Sequence, residues 1–141
     1  MKKLLFVFAL LTIVALATLP LKGAANFGRQ MALITFTQPV HVQGKILKGE
    51  YLFVHDDAAM QRGEACTYIY KGNAPLRERL VVSFHCIPTE RAKVANFVTR
   101  TEEKTPGTIE LREFQFAGDS EAHAVPGGGT GPIGYLGPLS N

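Results

Sequence analysis

The chain has 141 residues, no tryptophan and two cysteines, with 15 Lys and Arg against 12 Asp and Glu, a formal charge of +3. Lys2, Lys3 and Lys22 precede residue 26 and no acidic residue does, so the rest of the chain holds twelve basic and twelve acidic groups. Its basic residues alternate with acids, as in Arg77-Glu78-Arg79 and Arg112-Glu113, which excludes the clustered cationic surface that nucleic acid or an anionic membrane requires.

The N-terminus reads as a targeting segment. Lys2 and Lys3 precede an apolar run from Leu4 to Leu19, Pro20 ends it, and Gly23-Ala24-Ala25 supplies small residues. That order is the pattern of a secretory signal peptide, predicted over 1–25 with cleavage between Ala25 and Asn26. The alternative is an uncleaved anchor, for which about 20 apolar residues are wanted. The expected location is periplasmic or extracellular, with membrane contact only through this segment before cleavage.

Residues 26–125 read as one domain of short strands. The β-branched and aromatic runs are Ile34–Thr37, Val40–Val42, Tyr51–Val54, Thr67–Tyr70, Leu80–Phe84, Val94–Thr99, Thr108–Phe116 and Glu121–Val125. Turn residues separate them at Gln43-Gly44-Lys45, Lys48-Gly49, Lys71-Gly72-Asn73 and Thr105-Pro106-Gly107. The spacing predicts an all-β, single-domain β-sandwich of about seven or eight short, mainly antiparallel strands. In Thr108–Phe116 neither alternating face is purely apolar, so this strand should pack differently at its two ends. One helical turn could form at Asp56–Arg62 or Glu90–Val94. Residues 126–141, rich in Gly and Pro, are expected to be a flexible tail, with Ile133, Tyr135 and Leu136 as the residues of a docking peptide if it has one.

Cys66 and Cys86 invite a register argument. Setting them opposite each other in a hairpin also pairs Tyr68 with Phe84 and Tyr70 with Val82, so all six side chains share a face. In an oxidising compartment the expectation is a Cys66–Cys86 disulfide. The competing reading is a metal- or redox-active site of Cys66, His85 and Cys86, with His41 and His55 at strand ends. Neighbours in a strand face opposite ways, which weighs against His85 and Cys86 sharing one ion. No metal or other cofactor is therefore expected.

Catalytic patterns are absent. Ser83 lies near His85 without a nucleophile-elbow motif, and Asp56-Asp57 and Glu102-Glu103 read as solvated turns. Arg77, Arg79, Arg91, Arg100 and Arg112 could line a face for an anionic ligand, or could be solvent-facing strand charges.

The segment Phe36 to Phe53, with Pro39-Val40-His41-Val42-Gln43-Gly44 followed by Gly49-Glu50-Tyr51-Leu52-Phe53, resembles a pattern in small exported bacterial proteins of unknown function. Ile87-Pro88-Thr89-Glu90-Arg91 is similar to a short turn in the same group. The resemblance implies a single β-sandwich and transfers no activity. The sequence thus points to an exported, non-enzymatic binding or envelope-structural module with an unidentified envelope or extracellular ligand.

Overall fold

The computed structural model describes residues 28–127 and the backbone of 134–136. The proposed signal segment and its cleavage site, Ala25 and Asn26, lie outside the described residues. Among the described residues, nine strands are linked in one hydrogen-bonded sheet, ordered β4 (Leu80–Phe84), β3 (Thr67–Lys71), β2 (Lys45–Asp56), β1 (Arg29–Val42), β7 (Thr108–Gln115), β6 (Val98–Thr105) and β9 (Gly134–Leu136), with β8 (Glu121–Ala124) joining β7 to β5 (Ile87–Glu90). The expectation of a mostly-β fold holds, and among the described residues the strands pair antiparallel except β1 with β7, which run parallel, so the sheet is mixed. A single sheet curled into a half-barrel encloses the core, where two stacked sheets were expected.

The first third of the domain is one long hairpin, β1 (Arg29–Val42) and β2 (Lys45–Asp56). Its turn sits where the sequence placed one, with positive φ at both Gln43 (48°) and Gly44 (75°). Two positive φ values give the turn the twist that matches the flanking strands. Two runs expected as separate strands merge into β1 across a bulge between Phe36 and Val40. Pro39, which has no N–H to give the ladder, sits inside that bulge. Gly49 faces it from β2 with φ 93°, a conformation that a side chain would strain.

Alternation along the hairpin sends Phe36, Val40 and Val42 of β1 and Leu47, Tyr51 and Phe53 of β2 into the core. Phe53 is fully buried, and its ring lies 5.4 Å from both Phe97 and Phe114. Beyond β2, Asp56 caps the five-residue helix α1 (Asp57–Gln61), its carboxylate accepting from the Ala59 N–H at 3.0 Å. This is one of the two places where a helical turn was expected; Glu90–Val94 forms none. Asp56→Ala should cost about 1 kcal/mol, read as a lowered thermal midpoint.

The chain continues through β3 (Thr67–Lys71), β4 (Leu80–Phe84), β5 (Ile87–Glu90), β6 (Val98–Thr105), β7 (Thr108–Gln115) and β8 (Glu121–Ala124). Residues expected as a turn at Ile87–Arg91 instead form β5, which pairs only with β8; an edge position tolerates Pro88. On β7 the mixed pattern has a local cause. Arg100 pairs with Glu113 and Thr101 with Leu111, leaving Arg112 as an extra residue. That bulge reverses the alternation, so Ile109 and Leu111 reach the core before it and Phe114 and Phe116 after it. Within the segment expected to be a flexible tail, Gly134–Leu136 forms β9 and pairs with β6.

The expected β3–β4 register is corrected by one residue. Thr67 pairs with Phe84, Tyr68 with Ser83 and Ile69 with Val82. The core decides this: Ile69 and Phe84 are buried together. The expected register would have put Tyr68 and Tyr70 on the inner face instead. Tyr68 donates its hydroxyl to the Ala65 carbonyl at 2.6 Å.

Candidate metal centre

Four separate segments converge at one end of this sheet. His55 follows Tyr51 and Phe53 on the inward face of β2, Cys66 precedes β3, Cys86 follows β4, and His123 belongs to β8. Two backbone bonds fix Cys66 between its neighbours: its N–H donates to the Phe84 carbonyl at 3.1 Å, and its carbonyl accepts from the Asp56 N–H at 2.9 Å. All four side chains are buried, none more than 1% exposed.

The expected disulfide is not present. Both cysteines are free, with their sulfurs 3.0 Å apart, about 1 Å beyond a covalent S–S length. The register slip explains why the two residues do not oppose each other in the ladder, since Cys86 lies past the end of β4. The Cys86 N–H donates to Cys66 Sγ at 3.2 Å.

Around Cys86 Sγ stand two imidazole nitrogens, His55 Nε2 at 3.4 Å and His123 Nδ1 at 3.6 Å. The ligand atoms of His55, Cys66 and Cys86 all lie within 4.8 Å of one another. In a tetrahedral site with ordinary metal–sulfur and metal–nitrogen bonds, N and S ligands are about 3.5 Å apart and two sulfurs about 3.8 Å. The spacings of both nitrogens to Cys86 Sγ already match, the sulfurs would separate by about 0.8 Å, and His123, outside the tightest cluster, would have to close on the ion. Asp57 Oδ1 lies 3.1 Å from His55 Nδ1. His55 Nδ1 makes no aligned hydrogen bond, so the carboxylate acts on the ring as a neighbouring negative charge.

The surroundings keep both imidazoles neutral. The rings of His55 and His123 lie 4.0 Å apart, and His123 also stacks on Phe114 at 5.1 Å. Burial, then the neighbouring His55, pushes the His123 pKa down to about 3. Burial also lowers His55, outweighing the opposing pull of Asp57 and Asp56. Burial and a hydrogen bond with Cys66 push the Cys86 thiol up to about 12. An ion would therefore meet two neutral imidazoles and a Cys86 thiol whose proton it has to displace.

Sequence reasoning selected both cysteines, and the structure brings them together. The histidine it set beside them, His85, lies at the rim of the cluster. His85 is exposed, with Nδ1 3.9 Å from Cys66 Sγ and 2.7 Å from the Glu64 carbonyl. His55, noted only as a strand-end histidine, stands inside the cluster, where it continues the inward alternation of Tyr51 and Phe53, and His123 was not singled out at all. His41 pairs with Glu110, away from the centre.

The other candidate groups have structural partners. Arg91 and Arg100 both bind Glu113, and Arg112 lies 3.2 Å from Glu102, so these three are engaged with acids and apart from Arg77 and Arg79, which precede β4. Glu103 accepts from the Gly107 N–H at 2.8 Å. A surface hollow of about 420 Å³ lies at the opposite end of the β3–β4 hairpin, lined by Lys71, Gly72, Glu78, Arg79, Leu80 and Val81. It holds no thiol or imidazole. No protein-family model, curated protein or solved structure matches the chain.

Proposed function

We propose that this protein is an exported, non-enzymatic module that binds one transition-metal ion through Cys66, Cys86, His55 and His123. The observation that carries the reading is the convergence of two thiols and an imidazole in a fully buried cluster. Thiolate and imidazole donors together suit zinc or copper ions rather than the hard cations that prefer oxygen. Burial lowers the pKa of both His55 and His123, so neither needs to lose a charge before ligating at physiological pH.

The N-terminal sequence supports export, and the two features reinforce each other. Paired cysteines in an oxidising compartment normally become a disulfide. A metal ion bound to both thiolates is a chemical reason for such a pair to remain reduced.

The test is a titration of the reduced protein with cobalt(II), whose thiolate charge-transfer absorption reports sulfur ligation. One ion per chain is expected. Cys66→Ser and Cys86→Ser should each remove most of the absorption. Asp57→Ala should weaken affinity about 10-fold or more while the band stays. A reduced protein that gives no charge-transfer band would overturn the proposal.

A further inference from the structure

The metal-centre reading leaves a kinetic question, and the inference drawn here rests on that reading. Cys66, Cys86, His55 and His123 are all closed off from solvent, so an ion in water cannot reach them in one step. Two further side chains touch the sulfurs. Met60, half-buried on α1, has its Sδ 3.9 Å from Cys86 Sγ. His85 is exposed and lies beside Cys66, Nδ1 to Sγ 3.9 Å.

The hydrogen bond of His85 fixes its chemistry. Its Nδ1 is 2.7 Å from the Glu64 carbonyl oxygen, which can only accept, so Nδ1 carries the proton and Nε2 keeps its lone pair. An exposed imidazole with a free ring nitrogen is a good first ligand for a zinc-like or copper-like ion. A thioether such as Met60 is a softer, weaker donor.

We propose that His85 is the port ligand of the centre: it takes the ion from water and passes it to Cys66. In the first step a metal–water bond breaks and a bond to Nε2 forms. The ring then turns about its Cβ–Cγ bond, releasing the Glu64 carbonyl and bringing Nε2 to the sulfur side. There the metal–nitrogen bond breaks as the bond to Cys66 Sγ forms, and the thiol proton passes to the freed Nε2, which gives it up to water at the exposed ring. His85 is not a ligand of the loaded centre, so it speeds arrival and departure equally.

The experiment measures rates and affinity separately on the reduced full chain. Uptake of cobalt(II) is followed by stopped-flow absorption, and its loss by chase with excess chelator. His85→Ala should slow both about 10-fold, the effect of about 1.4 kcal/mol in each barrier, while Kd stays the same. Added imidazole should restore the rates, which a purely structural role of His85 would not allow. Met60→Leu should change neither rate. Unchanged rates in His85→Ala would overturn the port. So would a weakened Kd with normal uptake, which would make His85 a resident ligand. Failure of the unmodified protein to bind cobalt(II) overturns the metal centre itself, a result distinct from either.

Discussion

A Glu113→Ala protein is expected to lose about 3–5 kcal/mol of stability, a large part of the roughly 5–15 kcal/mol that holds a domain together. Glu113 is 2% exposed and Arg100 4%, and they oppose each other across β6 and β7. The carboxylate receives Arg100 Nη1 at 2.7 Å, Arg91 Nη2 at 2.8 Å and Arg91 Nε at 3.1 Å. Removing it takes from the buried Arg100 guanidinium a carboxylate that its bond to Gln115 Oε1 (2.8 Å) does not replace in charge, which costs more than the pair contributed. Glu113→Gln keeps an acceptor and should fall between. Urea midpoints at constant m-value measure both. Disrupting the exposed Arg62–Glu64 pair (2.9 Å) should leave the midpoint unmoved and serves as the internal control. A loss from Glu113→Ala as small as that of the control would contradict a charge-bearing core.

Acid is the second large effect. In the unfolded chain a histidine gains its proton near pH 6.5, whereas folded His123 resists protonation until about pH 3. Between those values the unfolded state holds the extra proton, so stability falls as the pH falls. The slope is about 1.4 kcal/mol per pH unit for each histidine that stays neutral in the fold. The histidine contribution is complete above about pH 6.5 and ends when His123 protonates in place. His55, lowered mainly by burial, adds in the same direction. Asp56 adds to the loss at lower pH, because its bond to the Ala59 N–H holds its carboxyl below the usual value. Glu121 acts oppositely, its carboxyl raised by burial. Urea midpoints of the reduced, metal-free protein at pH 7, 6, 5 and 4 should decline. His123→Phe should flatten the decline by about one proton; an unchanged slope would remove His123 as its source.

Much of the fold was legible in the sequence because strand formation is a local matter. Gln43-Gly44 announced the turn, and the alternation of Tyr51 and Phe53 announced an inward face. The bulges were not legible, since an extra residue such as Arg112 is defined only by the partner strand it fails to match. The same limit produced the one-residue error at β3–β4, where the burial of Ile69 with Phe84 outweighed a register chosen to align the cysteines. The candidate centre was half legible. Cys66 and Cys86 stand out by rarity and their flanking strands predict a pairing. His123 has no sequence relation to them, because β8 reaches the cluster only through its pairing with β7 and β5.

The way the centre is assembled has a consequence for how the protein is inspected. His55, Cys66, Cys86 and His123 come from four segments spread over most of the domain, and β2 and β8 are not neighbours in the sheet. A chain that has formed only the β1–β2 hairpin owns one of the four groups; a chain arrested before β8 lacks the last. Under the proposed metal reading, a filled centre would therefore be a certificate of completion: in a population of molecules, those that retained the ion against a weak chelator would be those whose folding had finished.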